Sequence, residues 1–181
     1  MSGFRLFSKT LAISLLASAC SLSPIENNEQ VTLSSEKPIN WHASGRFIYE
    51  ADDQRQSGQF DWRQEDTGYQ VRLFGPFGLG SVRIVGNENL VTIETSDQSY
   101  SSNYPDQLFY QLTEMRIPIQ SIGGWLTGHL DTSETQSTDW EVLYDDVQPQ
   151  DKYLLPNRVD LKNPDVFIRI AVSDWSFNLA D

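Results

Sequence analysis

From Trp41 onward, apolar and polar residues alternate along the chain with a period of two. Trp41, Ala43, Gly45, Phe47 and Tyr49 fall on one face of a predicted strand, and His42, Ser44 and Arg46 on the other. Gly58, Phe60 and Trp62 alternate with Gln59, Asp61 and Arg63. Tyr69, Val71 and Leu73 alternate with Gln70 and Arg72. Val82 and Ile84 flank Arg83, and Val91 and Ile93 flank Thr92. Near the end, Val159 and Leu161 alternate with Arg158, Asp160 and Lys162, and Val166, Ile168, Ile170 and Val172 share a face. Turn formers separate these runs: Asp52-Asp53, Asp66-Thr67-Gly68, Gly86-Asn87 and Asn163-Pro164-Asp165. Short strands at a spacing of about ten residues predict one antiparallel sheet curled into a barrel or half-barrel.

Two segments leave that period. Tyr104 to Glu114 carries Leu108, Phe109 and Leu112 at helical spacing, with Pro105 near its start, where proline suits a first turn. Ile117 to Leu126 places Ile119, Ile122, Trp125 and Leu126 on one side, with Pro118 near its start. Gly123 and Gly124 weaken this second helix by roughly 1 kcal/mol each relative to Ala, which points to close packing or mobility. Two amphipathic helices inserted midway through a sheet predict a lid over its concave face.

Before Trp41 the alternation is missing. Arg5 and Lys9, then Leu11, Ala12, Ile13, Leu15, Leu16 and Ala17, then Ser18 and Ala19 form the charged, apolar and small-residue order of a secretion signal that ends at Cys20. Cys20 is the single cysteine, so no internal disulfide is possible. Leu16-Ala17-Ser18-Ala19-Cys20 resembles the lipobox of bacterial lipoproteins, with Ala17 where a large aliphatic residue is usual. The resemblance implies lipidation at Cys20. Ser21 stands where the inner-membrane retention signal of enterobacteria has Asp, so the analogy implies the periplasmic face of the outer membrane. The expected organisation is a signal peptide at 1–19, a lipidated N-terminus and flexible Ser-, Asn- and Pro-rich tether at 20–38, and one domain at 39–181. Of 13 Lys+Arg, loss of Arg5 and Lys9 leaves 11 against 25 Asp+Glu, a net charge near -14. Such a chain repels nucleic acid, which is excluded as a partner.

The ordered set Trp41-x-Ala43-x-Gly45-Arg46-Phe47, Gly58-x-Phe60-x-Trp62, Leu73-x-Gly75-Pro76-Phe77-Gly78, Ile117-Pro118-Ile119, Trp125-Leu126-x-Gly128, Trp140-x-Val142-x-Tyr144, Leu155-Pro156 and Val172-x-x-Trp175 resembles the LolB family of outer-membrane lipoprotein receptors. It spans about residues 40 to 175. The resemblance implies a mainly β fold: a half-open antiparallel barrel with a helical lid over a hydrophobic cavity. It further implies a monomer that takes triacylated lipoproteins from the soluble carrier LolA and inserts them into the outer membrane without a nucleotide or cofactor.

The candidate cavity residues are Phe47, Tyr49, Phe60, Trp62, Val71 and Leu73 on the sheet, closed by Leu108, Leu112, Met115, Ile122, Trp125 and Leu126. Alternation by itself favours a solid core, whereas the resemblance implies a cavity. Gly75-Pro76-Phe77-Gly78 joins two strands, and the family's corresponding loop projects an apolar residue toward the membrane. Pro76, Phe77 and Leu79 are therefore candidates for membrane insertion, with a tucked-in aromatic plug as the alternative. Arg46 is either a solvated strand residue or a polar group at the cavity mouth. Two other classes stay open: a lipid-anchored barrel binding a small apolar ligand in the manner of a lipocalin, and a non-transporting scaffold of the envelope. Catalysis finds little support. His42 and His129 are far apart without ligand spacing, and no nucleophile elbow or phosphate loop is present.

Overall fold

Alternation carries into structure wherever one face of a strand can be buried. The computed structural model describes residues 33, 35–75, 81–87, 89–129 and 139–177. Cys20, Pro76, Phe77 and Leu79 lie outside the described residues. Residues Val31–Asp181 gather into one compact unit that contains every described residue.

The strands are β1 (Trp41–Ala51), β2 (Gln54–Glu65), β3 (Gly68–Phe74), β4 (Ser81–Gly86), β5 (Val91–Glu94) and β6 (Ser99–Ser102). Helices α1 (Pro105–Thr113) and α2 (Ile119–Leu126) follow, then β7 (Glu141–Gln150), β8 (Tyr153–Lys162) and β9 (Val166–Phe177). The described strands form one antiparallel sheet in the order β6-β5-β4-β3-β2-β1-β9-β8-β7. β1 to β6 are a meander that leaves β1 in one direction. The chain then crosses to β7 at the opposite edge and returns through β8 to pair β9 with β1. The helices sit in that crossing. α1 packs on β5 and β6, α2 packs on β8, and the helices pack on each other. The sheet is not closed, since β6 and β7 remain edges.

The predicted inward set is buried: Trp41, Ala43, Phe47, Tyr49, Phe60, Trp62, Val71, Leu73, Val82, Ile84, Val91, Ile93, Val159, Leu161, Val166, Ile168, Ile170 and Val172. Trp41 lies 6.1 Å from Trp62 and 5.4 Å from Trp175, ring centre to ring centre. Gly45 is inward as well, but for a different reason. The β1–β9 register shifts between Ser44 and Gly45, where Ser44 opposes Asp174 and Gly45 opposes Val172. A Cβ at Gly45 would lie 2.0 Å from the Ala171 carbonyl oxygen, so only glycine fits this bulge.

Two strands escape the alternation. β6 is Ser99-Tyr100-Ser101-Ser102, with one residue able to pack inward, and its place is fixed by pairing with β5. β7 is an edge strand, half-exposed along its length, and it tolerates Pro149 as edges do. The segment expected to be a tether also has contacts at its end. Leu33 packs against Gly128, Glu36 accepts a hydrogen bond from Lys152 Nζ at 2.5 Å, and Pro38 is buried.

Candidate functional site

The site is the space between the inner face of the sheet and the two helices. α1 starts with Pro105 at its first turn and ends at Glu114, whose φ of 59° lets its N–H reach the Tyr110 carbonyl at 2.8 Å. α2 follows after the short Met115–Pro118 connection. Contacts among the described residues seat this lid. The Ile119 N–H donates to Asp106 Oδ1 at 2.9 Å, tying the start of α2 to the first turn of α1. The Arg116 N–H donates to the Tyr49 hydroxyl at 3.2 Å, tying the connection to β1. Gly123 lies on β2: a Cβ there would sit 3.2 Å from Trp62 Cζ2 and 3.1 Å from Gln64 Oε1. The cost of glycine in α2 is thus offset by close approach to Trp62. The buried Thr127 hydroxyl donates to the Gly123 and Gly124 carbonyls, closing the helix end.

Beneath the lid lies a void of about 40 Å³, lined by apolar side chains alone. Phe47, Phe60, Trp62, Val71 and Leu73 contribute from β1 to β3, and Ile122 and Leu126 from α2. These seven were read from the sequence as cavity residues. Four further lining residues were not: Ile117 and Ile119 at the entry to α2, and Ile168 and Ile170 on β9. Their signal was present, since Ile168 and Ile170 share the inward face of a predicted strand and Ile117-Pro118-Ile119 opens a predicted helix. The remaining candidates take other places. Leu108, Met115 and Trp125 are buried and Leu112 is half-buried, all packed in the core without bordering the void. Trp125 rests on Trp140 at 6.0 Å. Tyr49 is buried and serves the lid connection instead.

Arg46 does not line the void itself, but it borders a second hollow that Phe47 also lines. The alternation that turns Phe47 inward turns Arg46 to the outer face, where it is exposed. The outer face also carries the His42 Nε2 to Asp61 Oδ2 contact at 2.8 Å and the paired Arg169 and Asp160. Arg169 holds the Asp160 carboxyl below the ordinary carboxylate range through two hydrogen bonds at 2.8 and 2.7 Å. Inside, burial pushes the Tyr69 hydroxyl up to about 12, with the Asp106 carboxylate adding to the rise. Burial does the same to Tyr144, also to about 12. Among the described residues, no group of three or more His, Cys, Asp or Glu is placed to hold a metal ion. No described helix is long and apolar enough to cross a membrane.

The chain is similar to known proteins. A family model described as outer membrane lipoprotein LolB matches residues 39–175. An outer-membrane lipoprotein LolB of Alkalilimnicola ehrlichii is 32% identical over 155 residues, covering 76% of each chain. One from Pseudomonas paraeruginosa is 27% identical over 195 aligned positions, covering 94% of this chain and 95% of its own. A crystal structure of a LolA superfamily protein from Nitrosomonas europaea superposes with a TM-score of 0.53 at 10% identity, covering 81% of this chain and 89% of that one; it bears on the fold alone. A match that runs from two residues before β1 almost to the end of β9, together with a relative aligned over most of both chains, places this protein in the LolB family of outer membrane lipoproteins.

Proposed function

We propose that this protein is a receptor for the acyl chains of lipoproteins: it accepts triacylated cargo from the carrier LolA and inserts it into the outer membrane, held at the periplasmic face through Cys20. The observation that carries this reading is the wholly apolar void between the sheet and a two-helix lid.

The size of that void sets the mechanism. A cavity of about 150 Å³ is what a benzene ring fills. At about 40 Å³, the space seen here holds no acyl chain. Cargo must lift the lid, replacing contacts between Ile117, Ile119, Ile122 and Leu126 above and Phe47, Phe60, Val71 and Leu73 below. Closure in the empty state keeps that apolar surface from water, where it would invite aggregation. Burial is worth ~0.8 kcal/mol per methylene, so a long chain gains on the order of 10 kcal/mol. Release into water on the way is prohibitive, and transfer has to run directly from carrier to receptor to bilayer. Movement down a gradient of affinity requires no nucleotide.

The test is transfer from LolA loaded with a fluorescently labelled lipoprotein to the full chain carrying Cys20→Ser. Label should move to the receptor and shift with it on gel filtration. Cargo that stays with the carrier while both proteins remain folded overturns the receptor role. A small apolar ligand found in place of acylated cargo would favour a lipocalin-like protein instead.

A further inference from the structure

A second hollow lies at one end of β1 to β3, bordered mostly by outward-facing residues and also by the inward-facing Phe47, which lines the cavity as well. It has a volume of about 760 Å³ and is lined by Arg46, Ile48, Gln59, Phe74, Arg169 and Ala171, among others. Its origin is in the register. β3 stops at Phe74, opposite Gln59, while β1 and β2 run on to their turn at Asp52-Asp53. Gly58 and Gly75 meet at that step. A Cβ at Gly58 would sit 2.6 Å from the Phe74 carbonyl oxygen, and one at Gly75, with φ of +147°, would sit 2.9 Å from Gly58 Cα. The step is therefore bare backbone, and the hollow opens beside it.

Its chemistry is two-sided. Ile48, Phe74 and Ala171 give it an apolar floor, and Phe74 is 42% exposed, unusual for a phenylalanine in a strand. The charges around it are matched except for one. Arg169 is held by Asp160 at 2.7 Å, and Glu50 faces Arg55 at 3.3 Å. Among the described residues Arg46 has no carboxylate or hydrogen-bond partner, with the Gln59 amide as its cross-strand neighbour.

We propose that this hollow seats one phospholipid of the target membrane, its phosphate on Arg46 and Gln59 and the start of its acyl chains on Ile48, Phe74 and Ala171. An uncompensated guanidinium beside an apolar floor complements an amphiphile, whereas the net negative charge of the chain opposes a free anion. The volume falls in the range of small-molecule sites, about 300–1,000 Å³. Phe47 borders both spaces, but Arg46, Ile48 and Phe74 border the hollow alone, so loss of lipid binding through them leaves the acceptance of cargo from LolA intact, and the two readings fail separately.

The experiment titrates the isotope-labelled full chain carrying Cys20→Ser with dihexanoylphosphatidylethanolamine below its micelle concentration. Inorganic phosphate and dihexanoylglycerol are run beside it. Saturable amide shifts are expected at Arg46, Ile48 and Ala171 with the phospholipid only. Arg46→Glu should weaken binding at least tenfold, Phe74→Ser several-fold, and Arg46→Lys should retain part of it, all at wild-type melting temperature. Should Arg46→Glu prove unstable, Arg46→Gln takes its place with the same expectation. Equal affinity in the Arg46 variant overturns the proposal. So does binding of phosphate alone or of the neutral glyceride alone with the phospholipid's affinity, or shifts confined to Ile119 and Ile122. An Arg46→Glu variant that binds phospholipid normally but refuses cargo would mark a carrier-docking face, and would overturn it too.

Discussion

A methyl group at position 45 would collide with backbone. Gly45 brings β1 and β9 together at their bulge, where an added Cβ meets the Ala171 carbonyl oxygen. Overpacking of this kind costs about 1–3 kcal/mol. Gly45→Ala should therefore lower the melting temperature by several degrees in a thermal scan; an unchanged midpoint would show that the bulge relaxes freely. Phe77 makes the opposite prediction, as part of the proposed membrane loop. Phe77→Glu should keep the wild-type melting temperature and accept cargo from LolA, yet insert it poorly into liposomes, because a charge in hydrocarbon is costly while a loop tip in water tolerates it. If Phe77 is a core plug instead, the same substitution costs ~3–5 kcal/mol and the melting temperature drops sharply.

The same local reasoning explains which site residues were legible. Phe47, Phe60, Trp62, Val71 and Leu73 follow from strand period alone, since one face of a half-buried strand must be apolar. Arg46 was ambiguous because alternation assigns a face without saying what that face meets. Tyr49 looked like one more lining aromatic. Its hydroxyl bonds the Arg116 N–H, a partner 67 positions away that no local pattern reveals.

Among the elements, the lid is where structure and function meet. Asp106 accepts the Ile119 N–H, which is shared with the Ile117 carbonyl, and so joins the two helices. Asp106→Ala removes a bond of the helix-capping kind, worth about 0.5–2 kcal/mol. The expected result is faster hydrogen exchange at α2 amides and faster uptake of an apolar fluorescent dye, with β1 and β9 amides unaffected. Exchange that quickens uniformly would mean that the lid does not open as a unit.

The β8–β9 ladder carries a pH signature. Asp160 pairs with Arg169 directly across the strands, and the bond holds its carboxyl below the usual range. Folding therefore favours the ionised form. That stabilisation is present above the unfolded value of about 4 and is lost as pH falls through the folded one. Wild type should lose thermal stability below about pH 4 more steeply than Asp160→Asn. Parallel curves would show that the pair contributes nothing. The strands that were hard to read teach the same lesson at this scale. β6 and β7 are edges, so neither has to alternate, and their existence depends on the pairing offered by β5 and β8.

For the molecule as a whole, attachment should rest on one atom, the Cys20 sulfur. Cys20→Ser should move the protein from the outer-membrane fraction to the soluble periplasm or leave it unprocessed. Wild-type fractionation of that variant would remove the anchor from the account. The acidic surface fits this picture, since it keeps the molecule off anionic surfaces except where lipid or a local apolar contact overrides repulsion.

The sequence by itself determined the strand faces, the two helices and the turns, because each depends on residues that are near neighbours in the chain. The ordered motifs also carried the family, since they mark positions the fold requires: glycine where strands approach, tryptophan where the aromatic cluster packs. Only the tertiary structure decided how full the interior is. Whether an apolar face closes over a roomy pocket or a void of about 40 Å³ depends on how lid and sheet side chains interdigitate across long sequence separations. It alone also made the second hollow, which lies where β3 ends before β2 does and Gly58 meets Gly75, a matter of register between strands.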